Sequence, residues 1–148
     1  AAGEHLLEIV TPERRFDAPT LAAALDGMRL LVLATVTQDG RPIAGPVDGF
    51  FYRGDFYFGS SPESVRFKHL RKRPAVSATH LPGEEFAVTV HGRAAEIDVA
   101  DPSQSGFRSA LLDYYVPRYG AEWEDFLNAG PTYARIDADR LYSFSMVE

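Results

Sequence analysis

The chain has 148 residues, 45% of them hydrophobic and 24% charged, the proportions of one ordinary globular domain over 1–148. Fifteen Lys and Arg against twenty-one Asp and Glu leave a net charge of −6, which argues against nucleic-acid binding through bulk charge. The lack of cysteine excludes disulfides, thiolate zinc sites, iron–sulfur clusters and thiol catalysis, and the longest apolar run, Leu30–Ala34, falls far short of the ~20 residues of a membrane span.

Residues 1–17 read as a peripheral segment. No basic region precedes Leu6-Leu7 and Ile9-Val10, so no secretory signal is expected and the expected setting is the cytoplasm. Asp17-Ala18-Pro19-Thr20 opens a short helix that Asp26-Gly27 stops. Leu30–Thr37 and Ile43–Phe51 are apolar runs joined by Gln38-Asp39-Gly40-Arg41, a strong hairpin signal. Pro46 cannot donate to a central ladder, so the second strand is bulged there or lies at an edge. Tyr52-Arg53-Gly54-Asp55 then turns into Phe56-Tyr57-Phe58, completing a three-strand meander. A helix follows, with Ser60 or Ser61 as its cap, Ser60 and Glu63 as a capping box, and Pro74 as its end. Ala75–Leu81 and Phe86–Ile97 are two more strands, the second with a bulge or kink at Gly92. A helical insertion occupies 102–128: Asp101-Pro102-Ser103-Gln104 opens a helix to about Val116, Pro117 interrupts it, and Ala121–Leu127 adds a short piece. Thr132–Ile136 and Arg140–Val147 close the chain as two strands. Short spacings and antiparallel connections predict a small β-barrel with peripheral helices.

Arg66, Lys68, Arg71, Lys72 and Arg73 place five of the fifteen cations within eight residues. A charge run alone describes a solvated helix face. Here it follows Ser60, Ser61 and Ser64 at a helix start, where free amides, hydroxyls and the guanidinium of Arg66 suit a phosphate. His5, His69, His80 and His91 have no metal-ligand spacing, and no metal site is expected. Neither a Gly-x-Ser-x-Gly elbow nor a glycine-rich nucleotide loop occurs. The aromatics Phe50, Phe51, Tyr52, Phe56, Tyr57 and Phe58 could stack on a ring system, but strand alternation points half of them into a barrel core, so core packing is the expected role for most.

The order Leu33-Ala34-Thr35-Val36, Asp39-Gly40-Arg41-Pro42, Pro46-Val47, Phe56-Tyr57-Phe58, the basic stretch from Ser64 to Ser77, and Val90-His91-Gly92-Arg93-Ala94 resembles the pyridoxamine 5′-phosphate oxidase-like family. The resemblance covers residues 20–100 well and 133–144 weakly. It implies a mainly β fold: a split β-barrel of six or seven antiparallel strands with two or three peripheral helices. It also implies a homodimer that binds FMN, or alternatively the deazaflavin coenzyme F-420, in the groove between protomers. On this reading Pro46, Val47 and Asp48 face the ring, Gly59, Ser60, Ser61 and Arg66 hold the phosphate, and Lys68 belongs to the cationic surface outside it. Asp48, His80 and His91 are the titratable groups that could line the groove, and no catalytic residue is singled out.

The implied activity is hydride transfer to or from an unidentified small molecule, with no nucleic-acid or membrane partner. The alternative is a carrier or sensor that binds a cofactor or small ligand without turnover. A third reading is haem bound through a lone His such as His91, or RNA contact through the basic helix. True vitamin B6 oxidases of the family carry an Arg at Gly45, a Lys at Phe50, an Arg-Lys pair at Val65-Arg66, a Gln at Ala87, and an Arg-Leu-x-Pro segment where this chain has Ser143–Glu148. The usual Asn before Leu70 is His69. Each lost side chain subtracts a polar contact to FMN, the different closing segment predicts that pyridoxamine phosphate is not the substrate, and a small residue at Gly45 would leave room for the longer tail of the deazaflavin coenzyme.

Overall fold

A computed structural model describes residues 18–146; the segment 1–17 lies outside the described residues. The chain runs through α1 (Ala18–Ala24), β1 (Met28–Val36), β2 (Pro42–Tyr52), β3 (Asp55–Ser60), α2 (Val65–Lys72), β4 (Ala75–Gly83) and β5 (Phe86–Ile97). A 3-10 turn (Pro102–Gln104) then opens α3 (Ser105–Tyr119), followed by α4 (Glu122–Asn128) and β6 (Thr132–Ser145). The six strands close a barrel in the order β1-β2-β3-β6-β5-β4, each pairing antiparallel. The architecture is the mainly β barrel expected, although the described residues form four α-helices instead of two or three.

The first hairpin turns where Asp39-Gly40 predicts. Gly40 takes φ +84°, and the Thr37 N–H donates to the Arg41 carbonyl at 2.9 Å. β2 pairs with β1 from Pro42 to Phe50 but with β3 only from Gly49 onward. Residues 42–48 therefore have a strand neighbour on one side alone. Pro46 stands in that half, where its missing N–H breaks no central ladder.

Strand alternation produces two apolar layers instead of one. Inside the barrel, Leu31, Leu33, Val47, Phe56, Phe58, Val76, Val88, Val90 and Ile136 pack with Leu21 of α1, Leu25 just after it, and Phe67 and Leu70 of α2. Phe67 stacks on Phe58 with centroids 5.7 Å apart, so α2 is anchored to the barrel by an aromatic side chain. Truncating a side chain buried as fully as Phe58 costs about 3–5 kcal/mol. The opposite phase of β2 and β3 contributes Phe50 and Tyr57 to an outer cluster with Phe107, Leu111 and Tyr115 of α3, Leu127 of α4 and Tyr133 of β6. Both faces of the aromatic strands are thus covered, one by the barrel interior and one by the helical insertion.

Three local expectations are corrected. The two closing strands are a single strand, β6. Its register against β5 jumps from His91↔Arg140 to Gly92↔Ala138, a bulge that absorbs Asp139 without ending the strand. The bulge requires Gly92, because a Cβ there would lie 2.1 Å from the Asp137 carbonyl oxygen. The α2 cap is Ser64, whose Oγ accepts from the Phe67 N–H at 3.2 Å; Ser60 is still in β3, and the Ser60–Glu63 capping box does not form. Pro117 lies within the last turn of α3 without ending it, at the loss of the one N–H that would bond the Asp113 carbonyl. Gly120 at φ +93° then stops the helix.

Candidate functional site

The helical insertion stands against the outer face of β2 and β3 and leaves a cleft of about 750 Å³ between them. Asp48, Gly59, Ser60 and Ser61 line the barrel side, and Tyr115, Tyr119, Trp123 and Phe126 line the helical side, with Tyr133 between. Gly59 is the register partner of Tyr133, and a Cβ at Gly59 would stand 2.6 Å from the Tyr133 ring. The glycine therefore lets that ring lie flat across the strand. Tyr115 and Trp123 stack at 4.1 Å with an 11° interplanar angle. Tyr119 and Phe126 remain 66% and 54% exposed, which leaves free aromatic surface at the mouth.

Burial, and then the Asp48 carboxylate, push the Tyr133 phenol up to about 12 and move Tyr115 in the same direction. Both hydroxyls hold their protons at neutral pH and can donate hydrogen bonds into the cleft. The same effect makes them poor phenolate ligands for a metal.

Arg66 lies in a second, smaller cavity of about 230 Å³, with Ser64, Val65, His69, Thr35 and Gly45. Its Nη2 donates to the Pro46 carbonyl at 3.3 Å and sits 3.2 Å from where a Gly45 Cβ would be. The space over Gly45, expected to admit a cofactor tail, is occupied by Arg66 itself. Burial draws the Arg66 guanidinium below its ordinary value. The His69 Nδ1 is fully covered and has no hydrogen-bond partner among the described residues.

The expected site residues are thus divided. Asp48, Gly59, Ser60 and Ser61 share the aromatic cleft, and Arg66 occupies the second cavity. Pro46 is exposed between them, with its carbonyl held by Arg66. The Val47 side chain points into the barrel core at 5% exposure, leaving only its backbone to face a ligand. Ser60 and Ser61 offer no helix-terminal amides, because α2 begins after Ser64. Lys68 is exposed on a shallow depression with Gln38, His69, Arg71, Lys72 and Arg73. Within the basic run, Arg71 pairs with Glu96 at 2.8 Å and Arg73 donates to the Val36 carbonyl at 2.9 Å.

Of Asp48, His80 and His91, only Asp48 borders the aromatic cleft. His80 is buried, its Nδ1 2.8 Å from the Leu30 carbonyl oxygen, and His91 is exposed beside Ser77 and Tyr142. The sequence reading missed Tyr115, Tyr119, Trp123, Phe126 and Tyr133. The first four recur at intervals of four, four and three residues, a helical stripe that marks one face. Among the described residues, no three His, Asp or Glu side chains form a metal-binding group, and no helix is long and apolar enough to cross a membrane.

Among solved structures the chain is similar to a conserved hypothetical protein from Mycobacterium tuberculosis, at 20% identity over 91% of this chain and 88% of that one, with a TM-score of 0.74. It is also similar to HutZ, the heme storage protein from Vibrio cholerae, at 18% identity over 87% and 96% of the two chains, with a TM-score of 0.66. An FAD-binding protein from Mesorhizobium loti shares 21% identity over 88% and 93%, with a TM-score of 0.62. At these identities the likeness is one of fold. No curated protein matches the chain. Residues 18–141 match the family described as pyridoxamine 5′-phosphate oxidase. That match spans most of the chain and agrees with the closed six-strand barrel, and the chain belongs to this family.

Proposed function

We propose that the protein is a flavin- or deazaflavin-dependent oxidoreductase that acts as a homodimer on a small molecule. The observation that carries this reading is the alignment of two different cavities along one strand. Gly45 borders the cavity holding Arg66, and Asp48 borders the aromatic cleft. Three residue steps separate them by about 10 Å, comparable to the ribityl chain between a flavin ring and its phosphate; the two positions are of opposite strand phase, so a ligand spanning both crosses the edge of β2 that has no strand neighbour. Arg66 and the Ser64 beside it suit the phosphate, and the cleft's aromatic side chains suit the ring.

Either cofactor, when bound, supplies the hydride acceptor and donor. The chain's own residues then orient the reactants and exclude water. Tyr115 and Tyr133 offer protonated phenols to an oxygen in the cleft, and Asp48 places one carboxylate beside them. With Gly45, Val65 and the buried Phe50 in place of cations, Arg66 bears most of the phosphate's charge. That balance favours the singly charged phosphodiester of F-420, while FMN is the broader reading of the family. Pyridoxamine phosphate is not the proposed substrate, for the same lack of cations. The homodimer is supported by Leu30 and Val32 of β1, 58% and 47% exposed, which pair with Asp48 and Pro46 beside the open half of β2. Haem has weaker support, because the cleft's buried tyrosines retain their protons and His91 does not line it.

Trp123, the only tryptophan, reports on the cleft directly. Titration of the apo-protein with FMN and with F-420 across a salt series should quench its fluorescence saturably for at least one of them. No quenching by either up to millimolar concentration would overturn the reading, as would a Soret band in the freshly purified protein. Turnover with a nicotinamide or reduced deazaflavin donor separates an enzyme from a carrier or sensor. If FMN binds about tenfold more tightly than F-420 at moderate salt, the argument from missing cations fails.

A further inference from the structure

On the other side of α3 from the aromatic cleft lies another cleft, of about 650 Å³, between the start of β1, the end of β2 and α3. Four charged side chains line it: Asp26, Arg29, Asp113 and Arg118. Among the described residues, no ion pair joins any two of them. Arg29 shares the strand phase of Leu31 and Leu33, which fill the barrel, so it stands at the rim of the barrel and not on its outer wall. Its Nε is fully covered and has no hydrogen-bond partner among the described residues.

The Arg118 side of the cleft is held by packing. Arg118 lies over the Tyr114 ring at 3.7 Å and donates to the Tyr114 carbonyl at 2.7 Å. The Tyr114 ring in turn packs where a Gly27 Cβ would stand, 2.7 Å away, at a position with φ +76°. This turn therefore accepts glycine and little else, and the ring that carries Arg118 is fixed against it.

The covered Nε is out of a ligand's reach, so a ligand in the cleft meets Arg29 through the rest of its guanidinium, which no carboxylate of the described residues pairs. The fork of Arg29 matches a carboxylate in shape and charge. Asp26 and Asp113 repel a phosphate dianion or a polyphosphate from the same space, and they accept hydrogen bonds from an ammonium group. We propose that this cleft binds a small zwitterion of amino-acid type, its carboxylate on Arg29, its ammonium facing Asp26 and Asp113, and an apolar or aromatic body against Tyr52 and Phe107. This ligand differs in charge pattern from the phosphate-bearing cofactor proposed for the β2 face, and the two sites stand or fall separately.

Calorimetric titration of the full chain with L-phenylalanine, 3-phenylpropionate, phenethylamine and inorganic phosphate tests this directly. L-phenylalanine should bind saturably, and loss of either charged group should weaken binding by about tenfold or more. Arg29→Gln and the exposed-site change Asp113→Asn should each weaken it by a similar factor, while Glu84→Gln, an exposed change in the turn between β4 and β5, should leave it unchanged. Absence of heat with L-phenylalanine, phosphate binding as tight as the amino acid, or an unchanged affinity in folded Arg29→Gln and Asp113→Asn would each overturn the proposal. Circular dichroism establishes that the variants are folded.

Discussion

The guanidinium of Arg66 lies across Gly45, its Nη2 3.2 Å from the position a Cβ would take and 3.3 Å from the neighbouring Pro46 carbonyl oxygen. The glycine and the arginine therefore form one unit: the missing side chain on β2 is the seat of the cation on α2. Arg66→Ala should weaken cofactor binding by about 10- to 100-fold, the value of one charge-assisted hydrogen bond. Gly45→Val, which displaces the guanidinium without removing it, should produce a smaller loss in the same direction. Lys72→Ala is the control; equal small losses from Lys72→Ala and Arg66→Ala would indicate general charge attraction and no specific anchor.

Alkaline pH should loosen the fold through the cleft tyrosines. Tyr133 has its ionisation raised from 10 to about 12 by burial and by Asp48. Between those values the unfolded chain has lost that proton and the folded chain retains it, so stability is complete below pH 10 and falls as pH rises toward 12. The full loss from Tyr133, reached only above pH 12, is on the order of 3 kcal/mol, and about half of it has occurred by pH 11. Urea midpoints at pH 8 and pH 11 should differ less in Tyr133→Phe than in the parent chain. Asp48→Asn, which removes the repelling carboxylate, should shift the ultraviolet titration of the buried tyrosines to lower pH.

Two glycines should respond very differently to alanine. At Gly92 the new Cβ meets the Asp137 backbone, 2.1 Å away, whereas at Gly54 nothing lies within 4 Å and the cost is that of φ +87° alone. Gly92→Ala should destabilise by about 3 kcal/mol or prevent folding, and Gly54→Ala by about 1 kcal/mol. Chemical denaturation of the two variants measures the difference.

Ser64→Ala should cost about 1 kcal/mol through loss of the α2 cap. Ser60→Ala and Ser61→Ala should cost less in the same denaturation assay, because neither hydroxyl caps the helix. A larger loss at Ser60 would restore the capping box that the structure replaces.

The barrel was legible because its signals are local: Asp39-Gly40 sets one turn, Gly92 sets a bulge, and alternating apolar residues set the inner faces. The cap was misplaced because four serine or proline residues precede α2, and hydroxyl chemistry alone does not say which serine has the extended backbone a cap needs. The closing strand was read as two because a bulge and a strand end share the same polar sequence, Asp137-Ala138-Asp139. Half of the site was legible for a similar reason. Asp48, Gly59, Ser60 and Ser61 follow from the order of strands, but the wall opposite them comes from residues more than fifty positions later. That contact is tertiary, and only the aromatic stripe from Tyr115 to Phe126 hints at it. Arg66 stands at a structured place, and its engagement with Gly45 joins two elements that no spacing rule connects.

Ile97 and Tyr133 are register partners at the end of the β5–β6 ladder, so the whole helical insertion leaves the barrel and returns to it one ladder step away. To the barrel interior, this excursion is topologically equivalent to a tight turn. The strands and their inner packing can stay constant while the insertion changes in length, helix angle or aromatic content. Its one obligation to the barrel is to keep Phe50, Tyr57 and Tyr133 out of water. Ligand preference in the cleft can therefore diverge by exchange of a single contiguous segment, without any change of register among the six strands.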